Sequence, residues 1–125
     1  MDLVDTCGWI EWLTDGALAE NFGPYLSDSA NLIVPTLVQF ELYKWCLREK
    51  DEAIALDVIG LTEICRVRVL DTRIALSAAD LSMRYKLAMA DAVVYASALA
   101  TGAKLITSDS HFSGLPDVCF WQKTS

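Results

Sequence analysis

The sequence predicts an α/β domain of three layers, with a central parallel sheet of about five strands between layers of helices. Two features of the chain carry this. Short apolar runs rich in β-branched residues alternate with longer stretches whose apolar residues recur at helical spacing. The 125 residues suit one domain, 1–125, and their 54% hydrophobic content, against 22% charged, excludes a disordered chain. The mean hydropathy of +0.32 agrees. A domain of this size buries roughly two thirds of the surface its unfolded chain exposes, enough for a core without staples.

The elements follow in order. Leu3-Val4, flanked by acids, reads as the first strand. Thr6 is a candidate N-cap for a helix over Cys7 to Leu13, which Asp15-Gly16 ends. Asn21 to Ala30 reads as loop, punctuated by Gly23-Pro24. Leu32-Ile33-Val34, ending at Pro35, reads as a buried parallel strand. Thr36 then opens a helix to about Lys50, with Leu37, Phe40, Tyr43 and Leu47 at helical spacing. A helix from about Glu52 to Ile64 carries Ile54, Leu56, Ile59 and Leu61. Val67 to Leu70 is the third strand, with Thr72 as candidate cap for a helix over Ile74 to Arg84. Tyr85 to Met89 connects to a small-residue helix, Ala90 to Thr101, which Gly102 ends. Lys104 to Thr107 is a strand, Ser108 to Pro116 a loop, and Val118 to Trp121 the last strand.

Bulk properties exclude several classes. Seventeen acids against ten basic residues give a formal net charge of −7, which argues against a DNA-binding face or a basic RNA clamp. An enzyme that meets phosphate through bound metal ions is not excluded. No apolar run reaches the roughly 18 residues a membrane span needs, and no basic n-region marks a signal peptide. Cys7, Cys46, Cys65 and Cys119 are widely spaced without a CxxC pair, so free thiols in a reducing cytoplasm are expected instead of a zinc site.

In parallel sheets, sites form where strands end. Asp5 ends the first strand, and Asp109 follows Leu105-Ile106-Thr107. Two further acids, Glu41 and Asp91, stand in mostly apolar stretches. A buried carboxylate costs several kcal/mol unless it is paired or holds a cation. Each acid also has an ordinary structural reading. Asp5 and Asp91 could cap helices, Glu41 could pair with Lys44, and Asp109 could close an Asx-turn. Jointly the acids argue for more, because no cation neighbours Asp5, Asp91 or Asp109 in sequence. A cluster of carboxylates repels itself, and one or two hard divalent cations, Mg²⁺ or Mn²⁺, relieve that repulsion. The chemistry that follows is metal-assisted hydrolysis of a phosphodiester.

Four segments in order now resemble a PIN-domain ribonuclease, specifically the VapC-type toxin of toxin–antitoxin pairs. They are Val4-Asp5-Thr6 with Trp9; Pro35-Thr36 followed by Phe40-Glu41-Leu42; Arg84-Tyr85-Lys86-Leu87 followed by Ala90-Asp91-Ala92; and Leu105-Ile106-Thr107-Ser108-Asp109 with Phe112. The resemblance covers almost the whole chain and implies a PIN-like α/β/α fold. It implies an endoribonuclease in which Asp5, Glu41, Asp91 and Asp109 hold metal, supported by the hydroxyls of Thr6 and Thr107. The family often has a second acid just before the phenylalanine, where this chain has His111. Candidate RNA contacts are Lys44 and Arg48, which share a helix face with Glu41, together with Arg84, Lys86 and His111. The resemblance also implies a cognate antitoxin, whose C-terminal segment fills the acidic groove with an arginine or lysine, and a homodimer formed through helices. Trp9, Trp12, Tyr43 and Trp45 could supply such a surface, though core is the favoured reading for most of them.

Two other classes compete. A phosphoacceptor domain could use Asp71 after its strand, but Lys104 begins its strand where that chemistry needs a lysine at the end. A dehalogenase-type phosphatase needs a second Asp two residues after Asp5, where Cys7 stands. A catalytically inactive interaction module would use the same acids only to bind a basic peptide. Asp71, with Arg73 nearby, reads as a helix cap.

Overall fold

A computed structural model of the chain describes residues 1–124. Five strands form one sheet: β1 (Asp2–Val4), β2 (Leu32–Pro35), β3 (Arg66–Arg68), β4 (Lys104–Thr107) and β5 (Val118–Phe120). Their spatial order is β3-β2-β1-β4-β5, and every neighbouring pair is parallel. Parallel pairing requires crossovers, and six helices supply the first three of them in pairs: α1 (Thr6–Leu13), α2 (Ala19–Leu26), α3 (Thr36–Glu49), α4 (Glu52–Glu63), α5 (Thr72–Tyr85) and α6 (Met89–Ala100); a loop with one 3-10 turn, Ser110–Phe112, joins β4 to β5. The result is the predicted α/β/α arrangement with a central parallel sheet.

From β1 the chain leaves to β2 on one side, then returns from β3 to β4 on the other. The strand order therefore reverses between β1 and β4, and the crevice beyond their carboxyl ends is where such a sheet places ligands. Val4 pairs with Ile106 across this seam, and the Asp5 N–H donates to the Ile106 carbonyl at 3.1 Å. The sheet core is fully buried at Leu3, Val4, Leu32, Val34, Leu105 and Ile106. Gly8 lets α1 lie close against the sheet and α2, since a Cβ there would fall 2.5 Å from Val4 Cγ1 and 2.6 Å from the Phe22 ring.

Several local expectations are corrected. The segment read as loop, Asn21 to Ala30, contains most of α2, with Pro24 inside the helix. Ala19, Phe22 and Leu26 bury one face of α2, and that burial outweighs the hydrogen bond lost at the proline. Thr6 and Thr72 are not the caps; the alternative reading of Asp5 as the N-cap of α1 and the cap reading of Asp71 on α5 hold, the Asp71 carboxylate accepting from Ile74 N at 2.9 Å. Both acids precede a threonine, and Asp caps at least as well as Thr. The third strand stops at Arg68, leaving Val69 and Leu70 exposed. The buried faces of α3 and α4 are Val38, Leu42, Cys46 and Ala55, Val58, Thr62, while Phe40, Leu47, Ile54, Leu56 and Leu61 point outward. These two helices pack on each other through their smaller residues.

All four cysteines are free thiols, with Cys46 buried and the other three half-buried. Trp9 is buried, and Trp12, Tyr43 and Trp45 are half-buried against the core, in line with their favoured reading. Among the described residues no helix is long and apolar enough to cross a membrane.

Candidate functional site

Each of the four acids arrives at the carboxyl end of the sheet on a different element. Asp5 is the residue between β1 and α1, and its Oδ1 accepts the Thr6 N–H at 2.8 Å. Its Oδ2 accepts the Thr107 hydroxyl at 3.1 Å, from the end of β4. Thr107 Oγ1 also accepts the Asp109 N–H at 2.9 Å, so one hydroxyl ties the ends of β1 and β4 together. Glu41, one turn into α3, accepts the Thr6 hydroxyl at 2.7 Å through Oε1. Thr6 therefore joins α1 to α3 as Thr107 joins β1 to β4.

Asp91 lies in the first turn of α6, whose N-cap Ala88 offers no side chain. Its charge suits the positive end of that helix, but it makes no capping bond. Asp109 forms the anticipated Asx-turn, its Oδ1 accepting the His111 N–H at 3.0 Å. The buried Phe112 anchors this loop, with its ring 6.1 Å from that of Tyr95 on α6. His111 itself is 72% exposed, yet its Nδ1 lies 2.9 Å from Asp109 Oδ1 and 3.4 Å from Asp91 Oδ2. Asp91, Asp109 and His111 thus present one ligand atom each within 4.8 Å of one another.

The electrostatics follow from burial and crowding. Asp5 is only 6% exposed. Burial pushes its carboxyl up to about 7, against the pull of the Thr6 N–H and the Thr107 hydroxyl; Asp91 and Asp109 push it further up. Burial also raises Asp91, and so do the charges of Asp109 and Glu41, while His111 pulls it down. Among the described residues no lysine or arginine pairs with Asp5, Glu41, Asp91 or Asp109.

Two residues at the site were not anticipated. The Cys7 thiol lies 3.7 Å from Asp5 Oδ2 and 3.5 Å from Thr107 Oγ1, and it accepts the Ser108 hydroxyl at 3.4 Å. Burial, and then the charge of Asp5, raise this thiol to about 11, so it stays protonated and donates to the carboxylate. Their sequence signal was position alone, immediately after Thr6 and Thr107.

The anticipated basic residues divide into two groups. Lys44 and Arg48 line a depression of about 260 Å³ with Thr6, Ile10, Phe40, Glu41 and Trp45, beside the acidic cluster. Arg84 lies 5.9 Å from the Tyr85 ring, and Lys86 ends α5 in a left-handed conformation, φ 57°. Neither contacts a site carboxylate among the described residues. The competing acceptor is accounted for otherwise, since Asp71 caps α5 and lies 3.6 Å from Arg68. Lys104 sits at the opposite, amino end of β4.

A parallel sheet whose strand-order reversal gathers carboxylates from four elements defines the class: an α/β domain with an acidic centre at the carboxyl ends of its strands. The sequence matches the PIN domain family model over residues 3–118, and the chain belongs to that family. Among curated proteins none matches. Solved structures share the fold. A toxin–antitoxin complex from Klebsiella pneumoniae aligns at TM-score 0.82 and 21% identity, covering 98% of this chain and 100% of that one. VapC20 of Mycobacterium tuberculosis, a sarcin–ricin loop cleaving toxin, aligns at 0.75 and 17%, covering 93% and 95%. VapBC2 of Rickettsia felis, bound to a DNA fragment from its promoter, aligns at 0.73 and 12%, covering 98% of each chain.

Proposed function

We propose that the protein is a VapC-type toxin, a cytoplasmic endoribonuclease that hydrolyses RNA phosphodiester bonds with Mg²⁺ or Mn²⁺ and is neutralised by a cognate antitoxin. One observation carries this reading. Four carboxylates from four elements converge where the strand order reverses, and the most buried of them, Asp5, has no lysine or arginine beside it among the described residues. The fold neighbours, among them a toxin–antitoxin complex and a loop-cleaving toxin, support the same activity and partner.

The donor set fits a hard divalent ion. Asp91, Asp109 and His111 bring one ligand atom each within 4.8 Å of one another, and the charges of Asp5 and Glu41 act on Asp91 and its neighbours from beside them; carboxylate oxygens are the ligands Mg²⁺ and Mn²⁺ favour. One or two such ions, when bound, lower the pKa of a water and offset charge on the scissile phosphate. The chain's own residues do the positioning. Thr107 fixes Asp5 and the Asp109 backbone in one register, and Thr6 fixes Glu41. Cys7 adds a donor to Asp5. His111, exposed at the rim, can turn its imidazole N–H toward a phosphate oxygen.

The antitoxin would bring an arginine or lysine to the carboxylates, completing the ion pair the chain leaves open. A homodimer is supported by a groove between α5 and α6, lined by Leu70, Ala75, Ala79, Met89 and Val93. Leu76 and Met83 on α5 are exposed as well.

The test is cleavage of RNA by purified protein with Mn²⁺, with EDTA, and with the Asp5→Asn and Asp91→Asn variants. The reading requires cleavage that EDTA stops and that either variant abolishes; equal cleavage by the variants would sink it. Calorimetric titration of Mn²⁺ separates out an inactive interaction module, which takes up no ion through these carboxylates.

A further inference from the structure

We infer that the outer face of α3 is a single-stranded RNA track, with Phe40 as a base-stacking platform and Lys44 and Arg48 as phosphate contacts. The inference rests on the nuclease reading and deepens it by naming the path that the substrate strand takes away from the carboxylates.

Phe40 is 60% exposed at the second turn of α3, immediately before Glu41. An aromatic ring in that position is not needed for packing, because α3 buries Val38, Leu42 and Cys46 instead. Two depressions adjoin at this ring. One holds Thr6, Ile10, Glu41 and Trp45, and the other holds Tyr43 and Leu47; Phe40, Lys44 and Arg48 line both. The trough therefore runs from a candidate metal ligand, Glu41, along α3 and past two cations one turn apart.

The chemistry of the lining selects the occupant. Lys44 Nζ lies 5.9 Å from the Phe40 ring centroid, so a cation site and an apolar face lie side by side. Among the described residues Arg48 is engaged only by Glu49, at 3.0 Å, and both side chains are largely exposed, so that pair yields readily to a phosphate. A nucleic-acid strand alternates a flat apolar base with an anionic phosphate, which matches this alternation of ring and cation. On a chain of net charge −7 these two are the basic residues lining the depression that reaches Glu41. A duplex keeps its base faces stacked inside and has nothing to offer Phe40, whereas unpaired bases do.

The test measures binding of a fluorescein-labelled single-stranded RNA 10-mer by anisotropy, in the non-cleaving Asp5→Asn protein, with the matching RNA duplex as comparison. Asn retains the capping capacity of Asp5, so this background folds. The single strand is expected to bind more tightly than the duplex. Phe40→Ala is expected to weaken it about 10-fold, in the range of one base–aromatic stack, and Phe40→Trp to restore it. Lys44→Ala with Arg48→Ala should reduce the slope of log affinity against log salt by about 1.4, the value for two phosphates of a single strand. Ile64→Ala, at the exposed residue that follows α4, should change nothing.

Equal binding of duplex and single strand, or Phe40→Ala binding like its parent, overturns the inference. If Phe40→Ala instead converts a dimer to monomer in sedimentation velocity with RNA binding unchanged, the face belongs to a second copy and the inference is equally overturned. The two readings fail separately. Wild-type protein that binds the 10-mer through Phe40 but never cleaves RNA with Mn²⁺ refutes the nuclease and leaves the track standing. Cleavage with an unchanged KM in Phe40→Ala refutes the track and leaves the nuclease standing.

Discussion

Two carboxylates six residues apart, Asp5 and Glu11, are buried almost equally, at 6% and 5% exposure, yet the protein treats them differently. Glu11 receives a cation. Lys123 reaches back from the C-terminal segment and places Nζ 2.9 Å from Glu11 Oε1, while Trp121 nearby packs on Phe22 and Tyr25. Glu11 is also held by its fit, since a Cβ on Gly16 would collide with its carboxylate. Asp5 receives one hydroxyl, a backbone N–H and a thiol, but no cation among the described residues, and two further carboxylates face it. Burying a charge costs several kcal/mol in either place. At Glu11 the fold supplies a cation to Oε1, although Oε2 stays buried without a hydrogen-bond partner among the described residues; at Asp5 it supplies no cation to either oxygen. A buried acid without its own counter-ion is thus the more informative of the two about function.

The sharpest way to break this contrast is to neutralise each acid in turn. Asp5→Asn should reduce RNA cleavage on the order of 10³-fold, because it removes a contact to the ion that offsets charge in the transition state. Glu11→Gln should keep Mn²⁺ uptake by calorimetry while losing stability. If both variants lose Mn²⁺ equally, the contrast is void.

A second difference lies in pH. With Asp5 at about 7 in the folded chain and near 3.8 when unfolded, the folded protein holds a proton there that the unfolded chain has released. Stability of the ion-free protein should then fall as pH rises from about 4 to about 7, by up to about 4 kcal/mol. Urea denaturation across that window measures it. Saturating Mn²⁺ or Asp5→Asn should flatten the dependence, and Glu11→Gln should preserve it.

Lys123→Ala should cost about 2 kcal/mol in urea denaturation, below the figure for a fully buried pair because Lys123 is half exposed. Lys123→Arg should recover most of it. Smallest of all, Thr6→Val removes the hydroxyl that Glu41 accepts at 2.7 Å. It should cost about 1 kcal/mol, seen as roughly fivefold weaker Mn²⁺ binding.

The acids were legible because each sits in a short local pattern: a strand end, or an isolated charge among apolar residues. Strand β4 was read to the residue, Lys104–Thr107, for the same reason. What sequence could not show depended on partners distant in the chain. The outward faces of α3 and α4 carry the larger apolar residues, Phe40 and Leu56 among them, so periodicity pointed the wrong way. The helix around Pro24 depended on Phe22 finding the Gly8 notch and the Trp121 ring. Cys7 met Thr107 only because β1 and β4 lie side by side, and His111 met Asp91 only because the loop after β4 packs on α6.

That side-by-side pairing sets a clock. Asp5 and Thr107 are separated by 102 residues and are joined by a hydrogen bond no other residue replaces. During synthesis at about 5–20 residues per second, roughly 5 to 20 seconds pass between the two. Through that interval β1 lacks β4, and the acidic centre lacks Asp109 and His111. The acidic centre is therefore assembled only after β4 has emerged, and until then Asp5 waits without the hydroxyl that fixes it.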